Sequence, residues 1–143
     1  AESFVGIADT EMSKSVSGQI LIIEDEAVIA MDLEAMVTEM GHRVTGVAAT
    51  EEAAVSLYQR QPADLILSDI QLADNSSGID AVGRILKDAP DTPVIYITAF
   101  PERLLTGVGP EPAFLISKPY TPEQVMSAVS QAMFFSSTEV LST

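Results

Sequence analysis

The stretch DLILSD at residues 64–69 is a short, unbroken apolar run that ends in a carboxylate. Runs of this kind are typical of strands that are covered on both faces of a parallel sheet. Four further runs have strand character: QILIIE at 19–24, RVTGVA at 43–48, PVIYIT at 93–98 and AFLIS at 113–117. Helical patterns separate these runs, and five strands that alternate with helices predict a parallel, doubly wound α/β sheet.

The helices are predicted from apolar stripes and from capping residues. Between residues 27 and 40 an apolar stripe of helical spacing stops just before Gly41, a residue suited to follow a helix end. Thr50, Ser77 and Thr121 each occupy an N-cap position at the start of a later helical segment. Three prolines between residues 100 and 112 limit any helix there to a short one, at about 102–106.

Composition and charge narrow the possible function classes. The chain has 143 residues and no cysteine, which fits one domain and excludes a disulfide framework or a thiol nucleophile. A net charge of −14 disfavours binding to nucleic acid, and no apolar run reaches the length of a membrane span. We expect a cytoplasmic location, because no signal peptide is visible and cysteine is absent.

The domain boundaries are predicted from where the regular patterns begin and end. We expect residues 1–18 to be a tail or a linker from a missing domain, because they are small, polar and without sustained periodicity. We expect residues 19–134 to form the domain and residues 135–143 to be a C-terminal tail. Since the chain begins with Ala1 rather than Met, we expect it to be a piece of a longer protein.

Polar side chains follow four of the predicted strands. Glu24 and Asp25 follow the first strand, Asp69 ends the third, Thr98 ends the fourth and Lys118 follows the fifth. The carboxyl ends of parallel strands meet at one edge of a sheet, and ligands bind there in folds of this class. Each residue alone is ordinary, but their coincidence at one edge indicates a functional site.

The chemistry of these residues suits phosphoryl transfer. Clustered carboxylates repel one another, and Mg²⁺ relieves that repulsion because it prefers oxygen ligands and needs only a few from the protein. With the cation bound, Asp69 could attack a phosphoryl group and form an aspartyl phosphate. Lys118 and Thr98 could then contact the phosphoryl oxygens, since such chemistry depends on positioning and electrostatics.

The sequences IIEDE, LILSDIQL, VIYITA and LISKPY together resemble the receiver domain of two-component response regulators. The resemblance covers about residues 19–134 and implies a flavodoxin-like sheet of strand order 2-1-3-4-5, here with a shortened fourth helix. It implies a signalling domain, not an enzyme, although the domain would catalyse its own phosphorylation and dephosphorylation. A histidine kinase or a phosphotransferase would supply the phosphoryl group.

The resemblance also implies a role for each site residue. Asp69 matches the phosphoacceptor, Thr98 the switch hydroxyl and Lys118 the phosphoryl-binding lysine. The family places a cis peptide bond before the residue that matches Pro119. The implied Mg²⁺ ligands are Glu24, Asp25, Asp69 and, through its backbone carbonyl, Gln71.

Longer stretches narrow the resemblance further. DIQLADNSSGIDAV at 69–82 and ITAFPERLLTGVGPEPAFLISKPY at 97–120 are similar to PhyR-type general-stress-response regulators of alphaproteobacteria. In that family a sigma-factor-like domain precedes the receiver, and phosphorylation frees it to bind an anti-sigma factor. The resemblance therefore implies these two partners for the full-length protein.

One departure from the common receiver pattern concerns signal output. Many receivers carry an aromatic residue three positions before the lysine, where this chain has Leu115. Its neighbour Phe114 is expected on the opposite face of the strand. We therefore predict that residues 100–112, and not an aromatic rotation, carry the signal.

Several alternatives remain open at this stage. One is a stand-alone single-domain regulator or phosphorelay shuttle, and another is a receiver that only docks. A haloacid-dehalogenase-like phosphatase would need a second carboxylate two residues after Asp69, where this chain has Gln71. A flavodoxin-like cofactor site would need a phosphate loop where Glu24 and Asp25 stand. The one histidine, His42, is expected at the surface of a turn.

Overall fold

The computed structural model describes residues 17–102 and 111–142, with side chains described as far as residue 134. The strands are β1 Gln19–Ile23, β2 Arg43–Ala48, β3 Leu65–Ser68, β4 Val94–Thr98 and β5 Phe114–Ser117. They form one sheet of order β2-β1-β3-β4-β5 in which every neighbouring pair is parallel. The predicted fold class and strand order are confirmed.

The helices of the described residues are numbered in chain order. They are α1 Ala27–Glu39, α2 Glu51–Arg60, α3 Gly78–Asp88 and α4 Pro122–Ser142, with a 3-10 turn at Ala73–Asn75. The short helix predicted at about 102–106 falls almost wholly outside the described residues. The helix at Pro122–Ser142 is therefore numbered α4.

Two apolar layers cover the sheet. Alternate residues of β1 face opposite sides, so Ile20 and Ile22 lie in one layer while Leu21 and Ile23 lie in the other. The first layer packs against α1 and α4, and the second against α2 and α3. All four side chains are fully buried, as the continuous apolar run predicts for a central strand.

Side-chain caps fix the starts of three helices where the sequence predicts them. The Thr50 hydroxyl accepts a hydrogen bond from the Ala53 amide, and the Ser77 hydroxyl accepts from the amides of residues 79 and 80. At α4 the bonds are reciprocal: the Gln124 amide donates to the Thr121 hydroxyl, and the Thr121 amide donates to the Gln124 side chain.

Two expectations are wrong. The predicted tail at 135–143 is helical as far as Ser142, because α4 meets no glycine or proline after Pro122 that would end it. His42 is buried, with only 6% of its surface exposed, because its ring lies beside the backbone of Gly18 and accepts a hydrogen bond from that amide. Within the described part of the chain, no helix has the length and apolar character needed to cross a membrane.

Candidate functional site

The predicted site residues meet at the carboxyl edge of the sheet. Ile23 of β1 pairs with Ser68 of β3, so the residues that follow them, Glu24 and Asp69, emerge side by side. Thr98 at the end of β4 pairs with Ser117 at the end of β5, which brings Lys118 to the same edge. The Lys118 amide also bonds the Thr98 carbonyl at 2.8 Å, and the peptide bond before Pro119 is cis, as expected.

Lys118 joins the carboxylates of the site. Its ammonium donates to Glu24 Oε1 at 2.9 Å, to Asp69 Oδ2 at 2.9 Å and to Glu26 Oε2 at 3.1 Å. The side chains of Glu24, Asp69 and Lys118 are only 1%, 9% and 11% exposed, whereas that of Glu26 is 61% exposed. One cation therefore offsets two buried negative charges, and the site retains an excess of negative charge.

Burial makes this excess costly for Glu24. Desolvation raises the pKa of the Glu24 carboxyl to about 7, and the neighbouring charge of Asp69 adds to the rise. Hydrogen bonds from Lys118 and from the Glu26 amide act in the opposite direction but do not cancel it. Burial lowers the pKa of Lys118, but its hydrogen bonds to Glu24, Asp69 and Glu26 outweigh that effect, so its net pKa is raised and the side chain stays charged.

Three carboxylates of this edge are close enough to share a cation. Carboxylate oxygens of Glu24, Asp25 and Asp69 all lie within 4.8 Å of one another, with Asp25 exposed and the other two buried. An all-oxygen donor set with one open side fits Mg²⁺, which binds through a few carboxylates and keeps its waters. Desolvation, and to a smaller extent the charge of Asp69, disfavours the ionised form of Glu24, and a bound cation would favour that form.

Backbone hydrogen bonds hold the loop after Asp69 close to its carboxylate. The Ile70 amide donates to Asp69 Oδ1 at 2.6 Å, and the Gly78 amide donates to the Ile70 carbonyl at 2.7 Å. Gln71 pairs with Ser77 in an antiparallel bridge. The two hydrogen bonds on either side of this pair use the carbonyl oxygens of residues 70 and 76, and not that of Gln71. Its assignment as a metal ligand stays a prediction.

Two contributors were missed by the sequence analysis. A Cβ on Gly78 would overlap the Asp69 carbonyl oxygen and crowd the Ser68 hydroxyl, so only glycine fits where α3 begins. A glycine directly after an N-cap serine was the available signal, since it often marks a close backbone approach. Glu26 belonged to the acidic run but was not given a role, and it proves to be the exposed partner of Lys118.

Thr98 and Leu115 lie on the side of the sheet for which the sequence analysis predicts signal output. Thr98 is fully buried, and its hydroxyl accepts a hydrogen bond from the Phe100 amide at 3.1 Å. Leu115 is 41% exposed, while Phe114 on the opposite face packs against the core, as predicted. The segment predicted to repack, 100–112, lies mostly outside the described residues.

Comparison with known proteins agrees with this geometry. The family model for the response regulator receiver domain matches residues 20–130. The Phyllosphere-induced regulator PhyR of Methylorubrum extorquens is 55% identical over 129 residues, which is 90% of this chain and 48% of that protein. The chain thus spans about half the length of this curated relative.

Two solved structures are similar in both sequence and shape. The receiver domain of the Erythrobacter litoralis PhyR response regulator is 52% identical, with a TM-score of 0.78 over 83% of this chain and 92% of that one. The anti-anti-sigma factor PhyR from Bartonella quintana is 50% identical, with a TM-score of 0.79 over 99% of this chain and 57% of that one. The fold, the strand-end site and these likenesses lead to one conclusion: the chain belongs to the response regulator receiver domain family and is of the PhyR type.

Proposed function

We propose that this domain accepts a phosphoryl group on Asp69, with Mg²⁺ held by Glu24, Asp25, Asp69 and the Gln71 carbonyl. The observation that carries the proposal is the ammonium of Lys118 lying between two buried carboxylates, Glu24 and Asp69, while a third carboxylate, Asp25, adjoins them. Such an arrangement is poorly explained by stability alone, because the attraction within a buried ion pair rarely exceeds the free-energy cost of removing both charges from water.

Each residue has a part in the transfer. An oxygen of the Asp69 carboxylate forms a bond to phosphorus while the bond from phosphorus to the donor's histidine nitrogen breaks, and the electron pair stays on that nitrogen. Lys118 already contacts Asp69 Oδ2 and is placed to neutralise charge on the phosphoryl oxygens. Bound Mg²⁺ would supply further positive charge for the same oxygens.

The hydroxyl of Thr98 is the proposed sensor. It is buried at the end of β4, and in this structure it bonds the Phe100 amide two residues on. When the hydroxyl turns toward a phosphoryl oxygen, its hydrogen bond with the Phe100 amide is broken, which couples the phosphoryl group to the backbone after β4. To change the active fraction from 1% to 99%, phosphorylation must favour the active state by about 5.5 kcal/mol.

The partners of the full-length protein are part of the proposal. A histidine kinase or phosphotransferase would deliver the phosphoryl group, and Val28 and Met31, which are 80% and 69% exposed on α1 beside the acidic residues, offer it an apolar contact. Phosphorylation would release a sigma-factor-like domain to bind an anti-sigma factor. The similarity to an anti-anti-sigma factor from Bartonella quintana supports that output, although the chain spans only 57% of it.

The experiment is Mg²⁺-dependent labelling by radiolabelled acetyl phosphate. We expect the parent to incorporate acid-labile phosphate when Mg²⁺ is present, and Asp69→Asn to incorporate none. Asp25→Ala should show no increase in labelling when Mg²⁺ is added. Asp74→Asn is the matched control, since it removes a carboxylate from the same loop at a residue whose φ of 59° asparagine also tolerates. Labelling of Asp69→Asn near the parent level would refute the assignment.

A further inference from the structure

A hydrogen bond beside the site joins the loop that carries Lys118 to helix α1, which follows the acidic residues. The Tyr120 hydroxyl donates to Asp32 Oδ2 at 2.6 Å, across 88 positions of sequence. Tyr120 follows the Lys118–Pro119 pair, and Asp32 lies on α1, the helix that begins directly after Glu26. The bond therefore connects the loop that carries the lysine to the helix that follows the acidic residues.

The other attachments of this loop point elsewhere. The Lys118 amide is bonded to β4 through the Thr98 carbonyl, and the Thr121 amide is bonded to α4 through Gln124. Among the described residues, four hydrogen bonds join this loop to the acidic side of the site. Three run from the Lys118 ammonium to carboxylates that follow β1 and β3, and the fourth runs from Tyr120 to α1.

The bonds of Lys118 must change during the reaction. If the proposed function holds, its ammonium gives up a carboxylate to reach the incoming phosphoryl oxygens. The Tyr120–Asp32 bond involves no reacting group, so it can persist while the lysine exchanges partners. A bond that persists keeps the loop and α1 in register at that moment, and reacting groups have to be aligned closely for transfer.

We propose that Tyr120 and Asp32 are positioning residues that hold the loop of Lys118 against α1 during phosphoryl transfer. The bond is short and charge-assisted, which makes it one of the stronger kinds. The hydrogen bond is exposed, but the ring of Tyr120 is partly buried against the core layer that contains Leu33 of α1, and this packing holds the hydroxyl beside α1. Burial, together with Asp32, raises the pKa of Tyr120, so the phenol remains protonated and can donate.

The inference rests on the proposed function, and its test uses the same labelling reaction. Acetyl phosphate is the donor because it needs no docking surface, so an effect on a partner's contact with Val28 or Met31 does not interfere. The variants are Tyr120→Phe, Asp32→Ala, the double variant and Asp32→Asn, which keeps an acceptor oxygen. The control is Tyr58→Phe, which removes a phenol that bonds Thr92 at 2.8 Å away from the site.

We expect Tyr120→Phe and Asp32→Ala each to slow labelling about tenfold at saturating Mg²⁺. The double variant should be no slower than either single variant, because both remove the same bond. Asp32→Asn should recover most of the rate, and Tyr58→Phe should lower the melting temperature while labelling at the parent rate.

Two results would overturn the positioning role. One is a Tyr120→Phe variant that labels as fast as the parent, and the other is a Tyr58→Phe variant that is slowed as much, which would make the effect one of general stability. Failure of the proposed function looks different, since then the parent itself takes up no phosphate.

Discussion

The two ends of the sheet each carry a small set of polar and titratable groups, but the two sets differ in their burial and in their hydrogen-bond partners. The carboxyl-end cluster consists of Glu24, Asp69 and Lys118, whose charged side chains bond one another. The amino-end cluster consists of residues 17–19 with His42 and Asp64, and in it the side chains of Ser17, His42 and Asp64 bond the backbone. There the Gly18 amide donates to His42 Nδ1 at 3.1 Å, and the Gln19 amide donates to Asp64 Oδ2 at 2.8 Å.

This difference indicates which end can switch. At the amino end, His42 and Asp64 accept from the two amides that lead into β1, so moving either side chain gives up a hydrogen bond that places the strand. At the carboxyl end, Glu24 and Asp69 also accept from backbone amides, but each does so with one oxygen while the other oxygen bonds Lys118. The bonds to Lys118 can therefore be exchanged for bonds to a cation without freeing those amides. The amino-end cluster therefore fixes where the chain enters β1, while the carboxyl-end cluster is open to chemistry.

The largest expected contrast is between two glycines, one at each end. Gly78→Ala places a methyl against the Asp69 carbonyl, which is backbone and cannot move aside. Gly18→Ala meets chiefly the terminal methyl of the Met133 side chain, which can rotate away. We expect Gly78→Ala to lower the free energy of unfolding by about 3 kcal/mol and Gly18→Ala to lower it by less than about 1 kcal/mol.

Urea unfolding of both variants measures this contrast. Gly83→Ala is the control, since Gly83 lies in the same helix as Gly78 and a Cβ there meets nothing within 4 Å. It should be neutral or stabilising, because alanine favours a helix over glycine. Equal losses in Gly78→Ala and Gly18→Ala would show that the carboxyl end is no more rigidly packed than the amino end.

The second contrast removes one charge from each cluster. Lys118→Met leaves Glu24 and Asp69 buried without their cation, and we expect a loss of about 3 kcal/mol in metal-free buffer. Asp64→Asn keeps an oxygen that accepts from the Gln19 amide, so the loss there should be about 1 kcal/mol. Adding Mg²⁺ should restore part of the stability of Lys118→Met, because the cation replaces the missing charge.

Chemical unfolding with and without Mg²⁺ checks this pair. Lys87→Met, at the exposed end of α3, is the control and should change stability by less than about 0.5 kcal/mol. A Lys118→Met variant as stable as the parent in metal-free buffer would mean that the lysine does not balance the buried carboxylates.

The third contrast is in pH, where the two clusters should act with opposite signs. The pKa of Glu24 is raised from 4.5 to about 7, so its stabilising effect is present below pH 4.5 and is lost as the pH rises toward 7. Burial lowers the pKa of His42 from 6.5 while Asp64 opposes that shift, so stability is retained above pH 6.5 and is lost as the pH falls below it.

Thermal unfolding between pH 5 and pH 8 in the presence of a chelator tests both signs. Glu24→Gln should remove the loss of stability that accompanies a rise in pH toward about 7. His42→Asn, which keeps an acceptor for the Gly18 amide, should remove the loss that accompanies a fall in pH below 6.5. If either variant follows the parent's pH profile unchanged, the group concerned does not titrate differently in the folded and unfolded states.

The sequence predicted the frame of the molecule well. Unbroken apolar runs such as ILII in β1 and LIL in β3 allow little except buried strands, and their alternation with capped helices allows few topologies. Because parallel strands end at one edge, the placement of Glu24, Asp69 and Thr98 at strand ends followed from position alone. Resemblance to the receiver family then assigned roles to these residues.

Only the tertiary structure decided how those groups meet. Lys118 reaches Glu24 across 94 positions, and no local pattern shows that it contacts Glu24, Asp69 and Glu26 together or that burial raises the pKa of Glu24. His42 lies between a glycine and an arginine in a turn, a setting typical of the surface. It is buried because the distant segment at residues 17–19 packs beside it and donates a hydrogen bond to its ring. Strands and caps depend on neighbours in sequence, whereas burial, partner choice and protonation depend on which distant segments the fold brings together.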